Sequence, residues 1–178
     1  MTKARVWSEE ECNWLKENII YDPETGVLTW VKKVARHVRI GDEVGRIGSN
    51  GYRMFNLTIG GKRLGYRSHR VAWYLYYGSF PSVLDHINNI SLDNRVGNLR
   101  EATLSQNSGN SCLRKNNTSG AKGVTINRGK YCARIYIKGN SRHLGSYSTL
   151  EGAARAYDEA AIEQWGEFAY TNKDHGVY

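Results

Sequence analysis

The sequence has few cysteines, few prolines and no long hydrophobic run. Its 178 residues include three scattered cysteines without a C-x-x-C pair, which argues against a structural zinc site and a disulfide scaffold. A reducing cytoplasm is the expected location. The longest apolar stretch, Val71 to Tyr77, is too short to span a bilayer. The polar stretch from Met1 to Glu11 lacks the apolar core of a signal peptide.

Acidic residues are also in deficit. The chain has 25 Lys and Arg residues against 17 Asp and Glu residues, a formal net charge of +8. Residues 30–72 carry ten basic residues and two acidic ones, and residues 111–142 carry eight basic residues and no acidic one. Two basic regions favour a polyanionic partner such as nucleic acid, although a solvated basic surface has the same composition.

The first part of the chain alternates helical and strand patterns. A capping box at Ser8-Glu-Glu-Glu11 predicts a short helix over about residues 8–19. Alternation over residues 51–59, followed by Gly60-Gly61, predicts a hairpin onto residues 62–67. The apolar and aromatic residues 69–77 predict a buried helix that ends at Gly78.

The composition changes after residue 107, and residues 111–119 are predicted to form a basic linker. Three strand patterns follow over residues 124–147, and a capping box at Ser148-Thr-Leu-Glu151 opens an alanine-rich helix. The fold class is therefore expected to be α+β, and the C-terminal part a three-stranded antiparallel sheet packed on one helix.

The most informative segment lies between residues 85 and 107. Asp85 and His86 follow a short apolar run, Asn98 lies thirteen residues after Asp85, and Asn107 lies nine residues further on. Carboxylate and amide oxygens suit Mg²⁺ or Mn²⁺, and an adjacent imidazole can take a proton from water. Asn98 could accept the other ring N–H of that imidazole. An ordinary Asn-rich loop is the alternative interpretation.

These residues resemble the HNH endonucleases, in particular the homing endonucleases of phages. The resemblance rests on Asp85-His86, Asn98-Leu99-Arg100 and Asn107, with upstream support from the segments 21–30 and 68–70. It covers roughly residues 7–110 and implies a nuclease domain over residues 1–110. The core of that domain, about residues 82–110, would fold as a ββα-metal unit.

The resemblance also implies roles for individual residues. His86 would be the general base, and Asn98 would orient it. Asp85 and Asn107 would hold one divalent cation, Mg²⁺ or Mn²⁺. The basic residues of this domain that we expect at the DNA are Arg67, Arg70 and Arg100.

The end of the chain resembles the ethylene-response-factor (Apetala-type) DNA-binding domain of plants. The shared elements are Gly123-Val124, Tyr131 to Ile135, Leu144 to Tyr147, Glu151 to Ala161 and Asn172. The resemblance covers about residues 118–173 and implies a domain over residues 120–174. His143 stands where that family has a DNA-contacting Trp. The expected DNA contacts are Arg128, Lys130, Arg134, Tyr136, Lys138, Arg142 and His143.

These observations predict a metal-dependent DNA endonuclease with a C-terminal DNA-recognition domain. Its product would be a nick or a double-strand break, and its partner double-stranded DNA, with no membrane or protein partner expected. The alternative is a non-catalytic, sequence-specific DNA-binding regulator. The intact set of Asp85, His86, Asn98 and Asn107 argues against that alternative.

Overall fold

The computed structural model describes residues 5–178. The chain divides into two compact units, the first ending at Glu101 and the second formed by Ala102–Tyr178. Both units mix helices with strands, which confirms the α+β fold class. No helix within the described residues is long and apolar enough to cross a membrane.

The first unit contains two helices and a series of short antiparallel ribbons. Its elements are α1 (Glu9–Asn18), β1 (Ile19–Tyr21), β2 (Leu28–Trp30), β3 (Arg46–Ile47), β4 (Arg53–Ile59), β5 (Lys62–Arg67), α2 (Ser68–Tyr77), β6 (Val83–His86), a 3₁₀ turn (Val96–Asn98) and β7 (Leu99–Ala102), whose last residue belongs to the second unit. β1 pairs with β2, β4 lies between β3 and β5, and β6 pairs with β7.

Local sequence signals explain the helices of the first unit. The Ser8 hydroxyl accepts a hydrogen bond from the Glu11 amide, and the Glu11 side chain accepts one from the Ser8 amide, so the predicted capping box is confirmed. The second helix, α2, ends at Gly78, whose φ of 70° is the left-handed conformation that favours glycine at a helix end. The hydrophobic core between these helices and the ribbons includes Leu15, Leu28, Val44, Tyr66 and Val71.

The second unit is a three-stranded sheet covered on one face by a helix. Its elements are α3 (Leu104–Gly109), β8 (Val124–Asn127), β9 (Lys130–Ile137), β10 (Asn140–Tyr147), α4 (Leu150–Trp165) and a 3₁₀ turn (Gly166–Phe168). The strand order is β10-β9-β8, and both pairings are antiparallel. Small alanines of α4, including Ala153 and Ala161, are fully buried together with Ala133 and Ile135 of β9.

Two details of the second unit differ from expectation. The N-cap of α4 is Thr149 rather than Ser148, because the Thr149 hydroxyl accepts from the Gly152 amide. The predicted linker is packed within this unit: the Ser119 hydroxyl donates to the Val124 carbonyl, and the Leu113 amide donates to His175. The unit boundary at 101/102 accordingly lies before the expected 110.

A buried polar cluster attaches the last residues of the chain to α4. Asn172 is completely buried, and its backbone and side-chain N–H groups both donate to Asp158 Oδ1. Its own Oδ1 accepts from the Lys122 amide at 2.6 Å. The Tyr178 hydroxyl donates to the other Asp158 oxygen. Because both partners of each bond are buried or half-buried, this cluster fixes the end of the chain against the sheet and helix.

Gly123 offers a test of the second unit's packing. A Cβ at this position would lie 1.9 Å from Tyr157 Cδ2 and 2.8 Å from the Arg134 carbonyl oxygen. The matched control is Gly129, which has nearly the same positive φ but open space where a methyl group would lie, with no other atom within 4 Å. Gly129→Ala should lower the free energy of unfolding by about 1–2 kcal/mol through backbone strain alone. Gly123→Ala should lower the free energy of unfolding, measured by chemical denaturation, by about 1–3 kcal/mol more than Gly129→Ala does. An equal loss of stability in the two variants would contradict this packing.

Candidate active site and nucleic-acid interface

The Asp85–His86 pair lies at the end of β6, in the first unit. Both residues are nearly inaccessible, with exposures of 5% and 6%. Their strand is paired with β7, and the neighbouring Val83 and Leu84 are half-buried, so the apolar run before the pair directs it into the body of the unit. An acid and an imidazole, normally solvent-exposed, are therefore held together in a protected position.

Asp85 is paired with Arg100 of β7. Arg100 Nε lies 3.0 Å from Asp85 Oδ2, and both side chains are largely shielded from solvent. A guanidinium this close keeps the carboxylate oriented and satisfies one of its oxygens. Arg100 is therefore engaged with Asp85 and largely shielded from solvent, and its expected contact with DNA stays a prediction.

The imidazole of His86 meets the side chain of Asn94. Nε2 of His86 lies 3.2 Å from Asn94 Oδ1. An amide oxygen can only accept, so Nε2 carries the proton and the lone pair lies on Nδ1. Burial lowers the pKa of His86, against smaller raising effects of Asn94 and Asp85. The ring is consequently neutral at pH 7 and has the protonation state of a general base.

Asn98 plays a different part from the one expected. Its Oδ1 accepts from the Asn88 amide at 3.0 Å, and its Nδ2 donates to the Asp93 carbonyl at 2.8 Å. Its side chain thus shapes the loop between β6 and β7, and Asn94 occupies the place at the His86 ring. The sequence offered no means of choosing between two asparagines four residues apart, because the choice depends on how that loop folds.

The turn between β1 and β2 contacts the backbone of Asn94 and of the two residues that follow it. The Tyr21 hydroxyl donates to the Asn94 carbonyl at 2.7 Å, and the Val96 amide donates to the Pro23 carbonyl. Gly26 approaches so closely that a Cβ there would lie 2.5 Å from the Arg95 nitrogen and 2.6 Å from the Asn94 carbonyl carbon. The upstream segment that carried part of the resemblance therefore packs directly on the catalytic loop.

Two further rings surround His86. The ring centroids of His69 and His86 are 5.1 Å apart, and Tyr52 lies 5.9 Å from His86 and 5.2 Å from His69. Burial, followed by the charges of His86 and the neighbouring arginines, holds the pKa of His69 well below its usual value. His69 is therefore a neutral packing partner of the His86 ring.

The expected DNA contacts of the first unit have distinct environments. Arg67 is exposed, with its guanidinium 5.3 Å from the Tyr52 ring centroid. Arg70 is half-buried and donates to the Pro81 carbonyl. Arg67 is therefore accessible beside Tyr52, whereas Arg70 closes the turn after α2.

The proposed metal ligands lie on different elements. Asp85 is the penultimate residue of β6, and Asn107 lies on α3, which the Thr103–Gln106 capping box opens as expected. Within residues 5–178, no group of three or more His, Cys, Asp or Glu residues is arranged to hold a metal ion. The donor types suit Mg²⁺ or Mn²⁺, because carboxylate and amide oxygens are hard ligands that these cations prefer.

The face of the second unit's sheet that α4 leaves uncovered is basic. Arg134 and Tyr136 of the central strand are exposed, and Arg134 lies directly opposite His143. Lys130 is exposed at the start of the same strand, on the same side by alternation. We call this the open sheet face, defined by Lys130, Arg134, Tyr136 and His143.

Three of the expected contacts lie elsewhere in the second unit. Arg142 is opposite Ile135, on the side of the sheet that packs on α4, and its Nη2 lies 3.3 Å from Glu163 Oε2. Arg142 therefore lies on the other side of the sheet from Arg134 and His143, because adjacent strand residues point to opposite faces, and its expected contact with DNA stays a prediction. Arg128 and Lys138 occupy the two hairpin turns, each with φ of 49°.

Comparison with known proteins connects this geometry to a family. Residues 66–108 match the family model described as HNH endonuclease. That range contains Asp85, His86, Asn98 and Asn107, the four residues on which the resemblance rested. An uncharacterized HNH endonuclease of Acanthamoeba polyphaga mimivirus is 36% identical over 131 residues, which are 71% of this chain and 65% of the relative. The chain thus spans just under two thirds of that relative. Both findings are similarities to HNH endonucleases over part of this chain.

Two other similarities are more limited. The AP2-like ethylene-responsive transcription factor ANT of Arabidopsis thaliana is 40% identical over 67 residues, 31% of this chain and 12% of that protein. A solved structure described as DNA binding and cleavage by the HNH homing endonuclease I-HmuI is 24% identical. The match covers 52% of this chain and 51% of the chain in that structure, with a TM-score of 0.41.

The role of Asn94 can be tested with two substitutions. Asn94→Ala should lower the single-turnover rate of DNA cleavage by about tenfold or more, since bonds that orient a catalytic imidazole contribute on that scale. Asn94→Asp should raise the pKa of His86 through its charge. The base must be neutral, so the acid-side loss of activity should then occur at higher pH.

Rates measured as a function of pH decide this prediction, with Asn56→Ala, an exposed asparagine of β4, as the control that should behave as wild type. An undiminished rate in Asn94→Ala together with an unmoved pH profile in Asn94→Asp would remove the contact from the mechanism.

Proposed function

We propose that this protein is a metal-dependent DNA endonuclease that hydrolyses phosphodiester bonds, with DNA recognition by the second unit. The observation that carries the proposal is the buried Asp85–His86 pair inside the segment that matches the HNH endonuclease model. A buried, neutral imidazole is a costly arrangement for structure alone, because a hydrophobic residue would fill the same space without needing a polar partner.

The proposed chemistry follows from the protonation state of His86. Its Nε2–H is engaged by Asn94, so Nδ1 is the atom that takes a proton from the attacking water. Arg100 holds the Asp85 carboxylate in one orientation. Tyr52 and His69 pack against the imidazole and restrict its rotation. The chain therefore supplies an oriented base next to an oriented acid.

The metal is assigned to Asp85 and Asn107. When bound, one Mg²⁺ or Mn²⁺ stabilises the charge that develops on the phosphate and on the leaving oxygen. The support for Asp85 is its buried, oriented carboxylate, and the support for Asn107 is the sequence pattern. β6, β7 and α3 follow one another in the order of a ββα-metal unit, and we propose that they form it.

The open sheet face is the proposed DNA-recognition surface. Lys130 and Arg134 supply positive charge, and Tyr136, which is 67% exposed, supplies an aromatic surface at the centre of the sheet. A three-stranded sheet with an uncovered basic face fits a DNA groove, where cations meet phosphates and planar donors meet base edges. The 40% identity to part of a plant transcription factor supports the same assignment.

The second candidate function is a DNA-binding regulator without cleavage. It shares the open sheet face with the first candidate and differs only in the first unit. The arrangement of Asp85, Arg100, His86 and Asn94 favours the nuclease, because a scaffold has no use for an oriented neutral base.

Cleavage of a supercoiled plasmid with and without Mg²⁺ tests the nuclease. Relaxed circles mean nicking, and linear product means a double-strand break.

His86→Ala should reduce the rate by about 10²–10⁴-fold, since a general base acts in the transition state, while DNA affinity in gel shifts stays within a few-fold. Asp85→Ala and Asn107→Ala should each raise the Mg²⁺ concentration for half-maximal cleavage. A plasmid bound but left intact by the wild type would favour the regulator.

The recognition surface has a matched pair of arginines for its test. Arg134→Ala should weaken DNA binding and reduce the slope of log affinity against log salt by about 0.9, the value for one phosphate contact. Arg142→Ala removes the same charge from the α4 side of the sheet, where Glu163 partners it, and should change both quantities much less. Equal losses in the two variants would mean that net charge, rather than the open sheet face, governs binding.

A further inference from the structure

The loop that follows His86 presents apolar side chains to solvent. We call residues 87–92 the Ile90 loop. Within it Ile87 is 42% exposed, Ile90 56% and Leu92 44%. Single exposed aliphatic residues are ordinary on protein surfaces, whereas three within six consecutive residues form a concentrated apolar feature that marks an interaction site.

Two polar side chains of this loop are engaged by hydrogen bonds, that of Asn88 with the neighbouring Asp93 and that of Ser91 with Gly51. Asn88 donates from its backbone to Asn98 Oδ1 and from its side chain to Asp93 Oδ2, at 3.0 and 2.7 Å. The Ser91 hydroxyl donates to the Gly51 carbonyl at 2.8 Å. A flexible loop would turn its apolar side chains inward. These hydrogen bonds instead hold the loop with those side chains exposed.

The backbone of the loop is also fixed. Asn89 has a φ of 60°, the left-handed region that asparagine tolerates better than most residues. Its amide donates to the His86 carbonyl, and the Asp93 amide donates to the Ile90 carbonyl, which gives two successive turns. The aliphatic side chains are therefore displayed from a rigid base.

The electrostatic surroundings suit a phosphate-bearing partner. The Ile90 loop contains no charged residue. The adjacent Asp93 is neutralised by Arg95, which donates to both carboxylate oxygens at 2.8 and 2.6 Å. Exposed Arg67 lies over Tyr52, whose ring packs beside His86. The loop itself thus brings no acidic group that would repel a nucleic-acid backbone.

We propose that the Ile90 loop is a wedge that enters the DNA beside the bond that is cut and unstacks a base step. This inference rests on the proposed function. Consecutive Cα atoms are about 3.8 Å apart, so when His86 reaches the scissile phosphate, Ile87 lies within a base step or two of it. Isoleucine and leucine side chains are among the wedges that minor-groove proteins insert to kink DNA. A protein partner at this surface would block the approach of His86 to DNA.

The experiment uses the full chain and a plasmid in which the cut has been mapped. A short duplex spanning that cut carries 2-aminopurine at successive positions, and its fluorescence reports unstacking when His86→Ala protein binds without cleaving. The same duplex, intact or with a mismatch beside the cut, is used for single-turnover cleavage by wild type, Ile90→Ser, Leu92→Ser and Ile90→Leu. Ile162→Ser is the control, because Ile162 is 54% exposed on α4.

The expected result is a fluorescence rise at one or two positions, lost when Ile90→Ser is added to the His86→Ala protein and retained with Ile90→Leu. Ile90→Ser and Leu92→Ser should cleave the intact duplex up to about tenfold more slowly, and the mismatch should restore most of that loss, since the step is then already unstacked. Ile162→Ser should match wild type on both duplexes.

Two results would overturn the wedge. In one, the serine variants cleave the intact duplex as fast as wild type. In the other, their cleavage rates fall by the same factor on both duplexes, which would give the loop a role in site geometry alone. An unchanged melting temperature of the variants excludes misfolding as the cause. A wild-type protein that cuts no DNA would instead refute the proposed function itself, and with it the wedge.

Discussion

The proposed chemistry depends on the hydrogen bond between Nε2 of His86 and Oδ1 of Asn94. An imidazole has two ring nitrogens, and only one of them can serve as base while the other holds the proton. The amide oxygen of Asn94 decides which one. Its position is in turn fixed by Tyr21 and the turn that ends at Gly26, so a contact between distant parts of the chain determines the protonation geometry of the site.

Burial and charge act on this site in opposite directions. Removal of His86 from water favours its neutral form, while the carboxylate of Asp85 next to it favours the charged one. Burial has the larger effect. The base is therefore neutral without losing its acidic neighbour.

Much of the local structure could be predicted from the sequence, for identifiable reasons. The capping box of α1, the glycine turn between β4 and β5 and the glycine at the end of α2 are signals that act within a few residues, and each is present as expected. The Asp85-His86 pair was recognisable because the family spacing is contiguous in sequence. The face of the sheet on which Arg142 lies could also have been predicted from strand alternation, which places Arg142 and the adjacent His143 on opposite faces.

The partner of His86 could not be predicted in this way. Asn94 lies in a loop whose path is set by contacts with residues more than seventy positions earlier, including the Tyr21 hydroxyl. The packing of residues 111–119 has the same origin, since Leu113 is held by His175 from the other end of the unit. Polar loops leave no periodic trace in a sequence, and their hydrogen-bond partners emerge only with the tertiary structure.

The close approach of Gly26 to the catalytic loop bears on how related genes are interpreted. A side chain at position 26 would displace the Asn94–Arg95 backbone by contact alone. A related sequence with another residue at this position, some sixty residues before the histidine, would therefore need a different path for the loop that carries Asn94, even where Asp85 and His86 are intact.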